Sequence, residues 1–312
     1  MIAKLTGSLW VRGALTAGVL LLLATRIDIE ATLRAVLRLA PATAVIVLAL
    51  LGIDRAVMIW RWYSLLRATG TEITLKSAAW IYLVSSFAGS FSAIAGDAAR
   101  ALTLARRNTQ GSAAVASVAV DRLLGLLSIV AVGVTGAILS GGRTTSDGTP
   151  ALLVVTVLMA AAAPVLLFAD RWIRSALPAG WQTSRAGGRV LRLADALAQY
   201  RGHGGTLAGV SALSVAVQLL RIFQAYLLGR GIGIDVNFSY YLLFMPVGLI
   251  ALMLPISVAG FGAPQGVIVW LLRPRGVPEA DALALSTLIV LSGILANLPG
   301  AVLYLRRDRS AA

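Results

Sequence analysis

Apolar residues run along this chain in long blocks separated by short polar connections. The clearest blocks are residues 9–25, 41–60, 112–138, 151–169, 206–229, 239–255 and 282–305. Each approaches the roughly 20 helical residues needed to cross about 30 Å of hydrocarbon. Two further segments are apolar but interrupted by Gly, Ser and Pro: 78–95 (AAWIYLVSSFAGSFSAIA) and 254–272 (LPISVAGFGAPQGVIVWLL). Breaks of this kind free backbone groups that lipid cannot satisfy, so irregular chain at membrane depth is buried in protein or lines a wet cavity. The pattern predicts an all-α, polytopic membrane helix bundle of about eight transmembrane helices, with one or two re-entrant broken segments, forming a single domain over 1–312.

The basic residues set the expected topology. With the N-terminus inside, the positive-inside rule places Lys4 and Arg12, then Arg61, Arg67 and Lys76, then Arg171, Arg174, Arg185, Arg189, Arg192 and Arg201, and finally Arg306, Arg307 and Arg309 on the cytoplasmic side. Arg100, Arg106 and Arg107 join them only if 78–95 enters and leaves by the same face, as a hairpin. Parity then asks 256–272 to cross back outward, with a second re-entrant element as the alternative. The polar connection 170–205 has the spacing of an interfacial amphipathic helix, a membrane-surface strut or a place that gathers anionic head groups.

Composition narrows the function classes. Hydrophobic residues make up 58% of the chain and charged residues 13%, against about 45–50% and about 25% in soluble domains. The net charge of +14 sits in the connections, so no nucleic-acid partner is implied. There is no Cys and a single His203, which leaves no thiol chemistry and no Cys- or His-pair metal site. No phosphate-binding glycine loop with its Lys is present, and no cofactor is expected.

Ionisable groups at apolar depth are costly and call for a structural or functional role. Three such places stand out: Asp54 with Arg55, Asp121 with Arg122, and Arg221 flanked at helical spacing by Gln218 and Gln224. Neighbouring helical residues point about 100° apart, so Asp121 and Arg122 are expected to contact different partners. Interhelical ion pairs holding the bundle, a polar groove for a head group, and a proton relay all fit. In AGDAARALTLARR, Gly96 and Asp97 precede an expected helix start, with Asp97 as its N-cap and Arg100 on the same side. In the second broken segment, Gly260, Gly262 and Gly266 permit close backbone approach, and the helix restarts after Pro264. Paired interrupted segments point to a midplane site in transporter folds, although no sequence repeat relates the two halves.

AGDAAR, SVAVDRLLGLL, LPISVAGFG and the terminal ALSTLIVLSGILANLPGAVLYL together resemble the lysylphosphatidylglycerol synthase transmembrane, or flippase-like, family over about residues 10–307. The matching positions are Gly96, Asp97 and Arg100, then Asp121, Arg122 and Gly125, then Pro255, Ser257, Gly260 and Gly262. Ala95 replaces a Gly of the family pattern, and Pro264 and Gln265 stand where Arg and Glu are usual, which removes an ion pair from the third motif. The apolar spans and the Lys and Arg count lead to the expectation of a bacterial inner-membrane protein with both termini cytoplasmic. The resemblance implies a flippase that moves a phospholipid, hopanoid or polyisoprenoid-type lipid along Asp97, Arg100, Asp121 and Arg122. A scaffold subunit beside envelope-lipid or glycan-lipid synthesis enzymes and a lipid-modifying enzyme stand as alternatives. A homo-oligomer is compatible with each, and the transporter reading carries no enzymatic activity.

Overall fold

The computed structural model describes residues 37–90, 93–107, 111–139, 168–176, 184–253 and 263–306, together with the isolated positions 30 and 34. Ten helices account for most of these residues. They are α1 Pro41–Ala68, α2 Leu75–Gly89, α3 Ala93–Ala105, α4 Gly111–Leu139, α5 Ala169–Ala176, α6 Arg185–Ala198, α7 Gly204–Gly231, α8 Phe238–Met253, α9 Ala263–Leu272 and α10 Glu279–Leu305. Among the described residues, α1, α4, α7 and α10 are long and apolar enough to cross a membrane, and they match four of the predicted spans. The predicted span 9–25 and nearly all of 151–169 lie outside the described residues.

The first broken segment is a helical hairpin. Thr74 caps α2 by accepting from the Ser77 amide, and α3 returns along α2 until Arg107 Nη1 donates to Ser77 Oγ at 3.1 Å. Small residues make this close return possible, since a Cβ on Gly96 would stand 2.6 Å from Gly89 Cα. The segment therefore enters and leaves by one face, as the arginines required. The expected N-cap at Asp97 is corrected: α3 begins at Ala93, so Gly96 and Asp97 lie inside the helix. Gly96 serves the contact with α2 and does not break the helix.

The second broken segment closes in the same way. Helices α8 and α9 pack together, and Tyr240 Oη near the start of α8 donates to the Leu271 carbonyl at the end of α9, 2.5 Å away. Their described residues, 16 and 10 in number, rise about 24 and 15 Å. Tyr240 and Leu271 thus stand at one face, an arrangement shared by the pair of crossings that parity required and by the re-entrant alternative. Pro264 lies in the first described turn of α9, and Pro255, Ser257, Gly260 and Gly262 fall outside the described residues.

The two hairpins disclose a repeat that the sequence did not show. Helices α1–α4 run long, short, short, long, and α7–α10 follow the same order. Their packing also repeats: α2 lies on α10, and α8 lies on α4. Gly300 of α10 admits the backbone of Leu83 in α2, and Gly136 of α4 admits the backbone of Leu242 in α8; a Cβ at either glycine would collide with those backbone atoms.

The units are inverted with respect to each other. Leu65 near the end of α1, Ala116 near the start of α4, Leu197, Tyr200 and Val210 near the start of α7 form one buried cluster, which marks one face. At the opposite face Arg38, just before α1, reaches Asp281 at the start of α10, 3.4 Å away. Arg275 also stacks over Tyr240 there, 4.1 Å from the ring centroid. The α2–α3 hairpin opens on the first face and the α8–α9 hairpin on the second. Below the first face α6 packs on α4 and α5 packs on α6, with Arg174 on Asp195 at 2.6 Å and Arg201 on Asp170 at 2.7 Å. The Arg201 hydrogen bonds hold the Asp170 carboxyl below its ordinary value.

Candidate functional site

Charged side chains collect where α1 and α7 cross between the hairpins. These helices run antiparallel, so two polar tiers form along α1. Asp54 and Arg61 stand seven residues apart, on one face and about 10 Å along the axis. On α7 the matching positions are Arg221 and Ser214.

The tier nearer the first face is built on Asp121, which is buried. Arg61 donates to its Oδ1 from Nε at 2.9 Å and from Nη2 at 2.7 Å, and Arg100 Nη1 reaches its Oδ2 at 3.1 Å. Arg61 Nη1 also donates to Ser214 Oγ at 2.9 Å. Arg100 lies over the rings of Tyr82 and Trp62, 4.4 and 5.5 Å from their centroids. Beside this triad Arg122 grips Asp97 with a two-point fork, Nε to Oδ2 at 2.7 Å and Nη2 to Oδ1 at 2.8 Å. As expected, Asp121 and Arg122 take different partners.

The middle tier is built on Asp54, whose side chain is 2% exposed. Arg221 Nε donates to Oδ1 at 2.6 Å, while Arg55 donates to Oδ2 from Nε at 2.8 Å. Arg55 Nη1 continues to Asn297 Oδ1 of α10 at 2.8 Å, and Asn297 Nδ2 donates to Ser90 Oγ at 2.8 Å. Ser90 ends α2 at the tip of the first hairpin. A chain of hydrogen bonds thus ties that tip to α10, α1 and α7.

The expected grouping of Gln218, Arg221 and Gln224 resolves into separate contacts. Arg221 goes to Asp54, and Gln224 Nε2 donates to the Val47 carbonyl at 3.4 Å. Gln218 Oε1 is buried without a hydrogen-bond partner among the described residues. The largest correction concerns Arg61, which the positive-inside count placed at the cytoplasmic surface. It is 3% exposed, and α1 continues past it to Ala68. The seven-residue spacing from Asp54 is the signal that marks it as a second inward position. Asn297, Ser90 and Ser214 carried no sequence signal of their own.

The second unit holds a neutral contact between its own short and long helices. Just as α3 presents Asp97 to Arg122 of α4, α9 presents Gln265 to α10, where Gln265 Nε2 donates to Thr287 Oγ1 at 3.1 Å. Beside Gln265 lies a small apolar cleft lined by Met245, Gly248, Ile268 and Ile289. Among the described residues no group of three or more metal-ligating side chains occurs. The family model described as "Lysylphosphatidylglycerol synthase TM region" matches residues 9–300. No curated protein matches the chain.

Proposed function

The chain belongs to the lysylphosphatidylglycerol synthase TM-region family, and from that premise we propose that it moves an amphipathic membrane lipid between leaflets, with the polar tiers as the path of the head group. The observation that carries this reading is the position of the tiers. They lie where two inverted units cross, beside hairpins that open on opposite faces. In transporters built from inverted repeats, substrate sites form near the midplane at the repeat interface, beside discontinuous helices. Coupling of the Ser90 tip to Asp54 through Asn297 and Arg55 gives the first hairpin a means of responding to what occupies the tiers.

Orientation follows from charge. The first face carries Arg67, Lys76, Arg106, Arg107, Arg171, Arg174, Arg189, Arg192, Arg201 and Arg306 against Glu72, Asp170 and Asp195. The second carries Arg34, Arg38, Arg230, Arg273 and Arg275 against Glu30, Asp235, Glu279 and Asp281. The positive-inside rule makes the first face cytoplasmic, in a bacterial inner membrane.

The test separates transport from mere support of the bundle. Neutral replacement of Arg61, Arg100 and Asp121 together with Arg122 and Asp97 removes whole ion pairs, which costs far less than removing one partner. The expected variant is folded in detergent and inactive in moving labelled lipid across reconstituted vesicles. A folded variant that still moves lipid would overturn the reading and leave the charges structural.

A further inference from the structure

Counted together, the two tiers hold five arginines, Arg55, Arg61, Arg100, Arg122 and Arg221, against three aspartates, Asp54, Asp97 and Asp121. Five minus three leaves two positive charges without a carboxylate. None of the other predicted spans, 9–25 and 151–169 included, contains an Asp or Glu to supply one. Uncompensated charge at membrane depth is costly, and here it is also accessible. The side chain of Arg122 is 36% exposed and that of Arg221 27%. Each uses Nε and Nη2 on its aspartate, which leaves Nη1 without a hydrogen bond among the described residues. In the buried triad, Arg100 Nε likewise lacks an acceptor.

We propose that the group received by these tiers bears net negative charge, and that it is the phosphate of an anionic lipid held first at the open Nη1 edge of Arg122 and then at that of Arg221. Guanidinium suits this ligand because its planar N–H donors match phosphate oxygens. The two stations belong to tiers about 10 Å apart along α1, so a head group can pass from one to the next without leaving cationic surroundings. The proposal rests on the transport reading for its lipid, but the charge surplus stands on the geometry alone.

The discriminating variant is Asn297→Asp. It keeps an acceptor for Arg55 Nη1 and an oxygen for the Ser90 hydroxyl, and adds the carboxylate that makes the middle tier neutral. Purified full-length protein is titrated with phosphatidylglycerol, phosphatidylcholine or inorganic phosphate, with binding read by native mass spectrometry and thermal stabilisation. The wild type is expected to bind phosphatidylglycerol at least about tenfold more tightly than phosphatidylcholine, and Asn297→Asp to lose about tenfold of that affinity, as one added charge in a medium of intermediate dielectric would require. Should Asn297→Asp not fold, Arg221→Gln asks the same question, because Arg55 remains on Asp54. Equal binding of the two lipids by the wild type, or an undiminished preference in the folded variant, overturns the proposal. Inorganic phosphate bound as tightly as phosphatidylglycerol overturns its lipid part. Movement of both lipids at equal rates in vesicles leaves transport standing without charge selection, whereas selective binding without movement leaves the anion site and removes the transporter.

Discussion

The two hairpins share an architecture and differ in chemistry. In the first, α3 carries Asp97 and Arg100 into a cluster of five arginines and three aspartates, and its tip is wired through Asn297 to the middle of the membrane. In the second, α9 carries Gln265, bonded to Thr287 of α10, beside an apolar cleft. The backbone contacts that place the hairpins, Leu83 on Gly300 and Leu242 on Gly136, are nearly the same. Packing therefore preserves the repeat while charge departs from it. On the proposed transport reading, a polar head group would meet complementary donors on the side of the first hairpin and a drier wall on the side of the second.

The sharpest way to break this comparison is to test the inversion itself, where labelling is all or none. The chain has no Cys, so single cysteines report position cleanly. Cysteines at Ser77 and Ser184 should resist an impermeant thiol reagent applied from outside, whereas cysteines at Asp235 and Gly276 should react. Reaction at Ser77 and Gly276 from the same side would destroy the inverted relation of the hairpins.

Next in size is Asp121→Asn. Asp121 is buried and holds both Arg61 and Arg100, so its neutralisation leaves two guanidiniums without a counter-charge. Losing one partner of a buried pair costs about 3–5 kcal/mol, which a large fall in melting temperature in detergent should register. The Asn variant keeping the wild-type Tm would mean that the triad is solvated and the tier is not a buried charge site.

The glycine crossings should respond alike. Gly136→Val and Gly300→Val each force a branched side chain into the backbone of the opposite hairpin, and overpacking of this kind costs about 1–3 kcal/mol. Similar losses are the expected outcome. A tolerant Gly300 beside an intolerant Gly136 would show that the repeat is one of order only, not of packing.

Hydrophobic blocks located α1, α4, α7, α8 and α10, because length and apolarity alone decide what lies in lipid. Arginine counting also found the first hairpin. The repeat stayed hidden because it rests on backbone approach at Gly136 and Gly300, and a lone glycine in an apolar run carries no partner information. Gly96 misled for a related reason: it reads as a helix breaker, and only the proximity of Gly89 shows that it permits contact inside a helix. Arg61, in the stretch Trp60-Arg61-Trp62, has the look of an interfacial arginine, and only the partner carboxylate on α4 draws it inward. Asp97, Arg100, Asp121 and Arg122 were legible because ionised groups in apolar sequence are scarce, but their pairing required the fold.

The smallest expected effect is Gln265→Ala, and it is informative because it is small. Gln265 lies on α9 as Asp97 lies on α3, each meeting the long helix that follows, and its amide donates to Thr287 Oγ1 at 3.1 Å. A neutral hydrogen bond contributes a net of about 1 kcal/mol, and Gln265 and Thr287 are both uncharged, so loss of this bond strands no ion on Thr287. Asp97→Ala differs in kind, since it leaves the Arg122 guanidinium without its fork and adds a third uncompensated charge to the tiers. The two substitutions, compared in one assay of stability and lipid movement, should therefore diverge: Gln265→Ala close to wild type in transport and within about 1 kcal/mol in stability, Asp97→Ala clearly impaired. Equal damage from both would place the second hairpin in the head-group path on the same footing as the first, and the contrast between a charged half and a neutral half would no longer describe how the protein works.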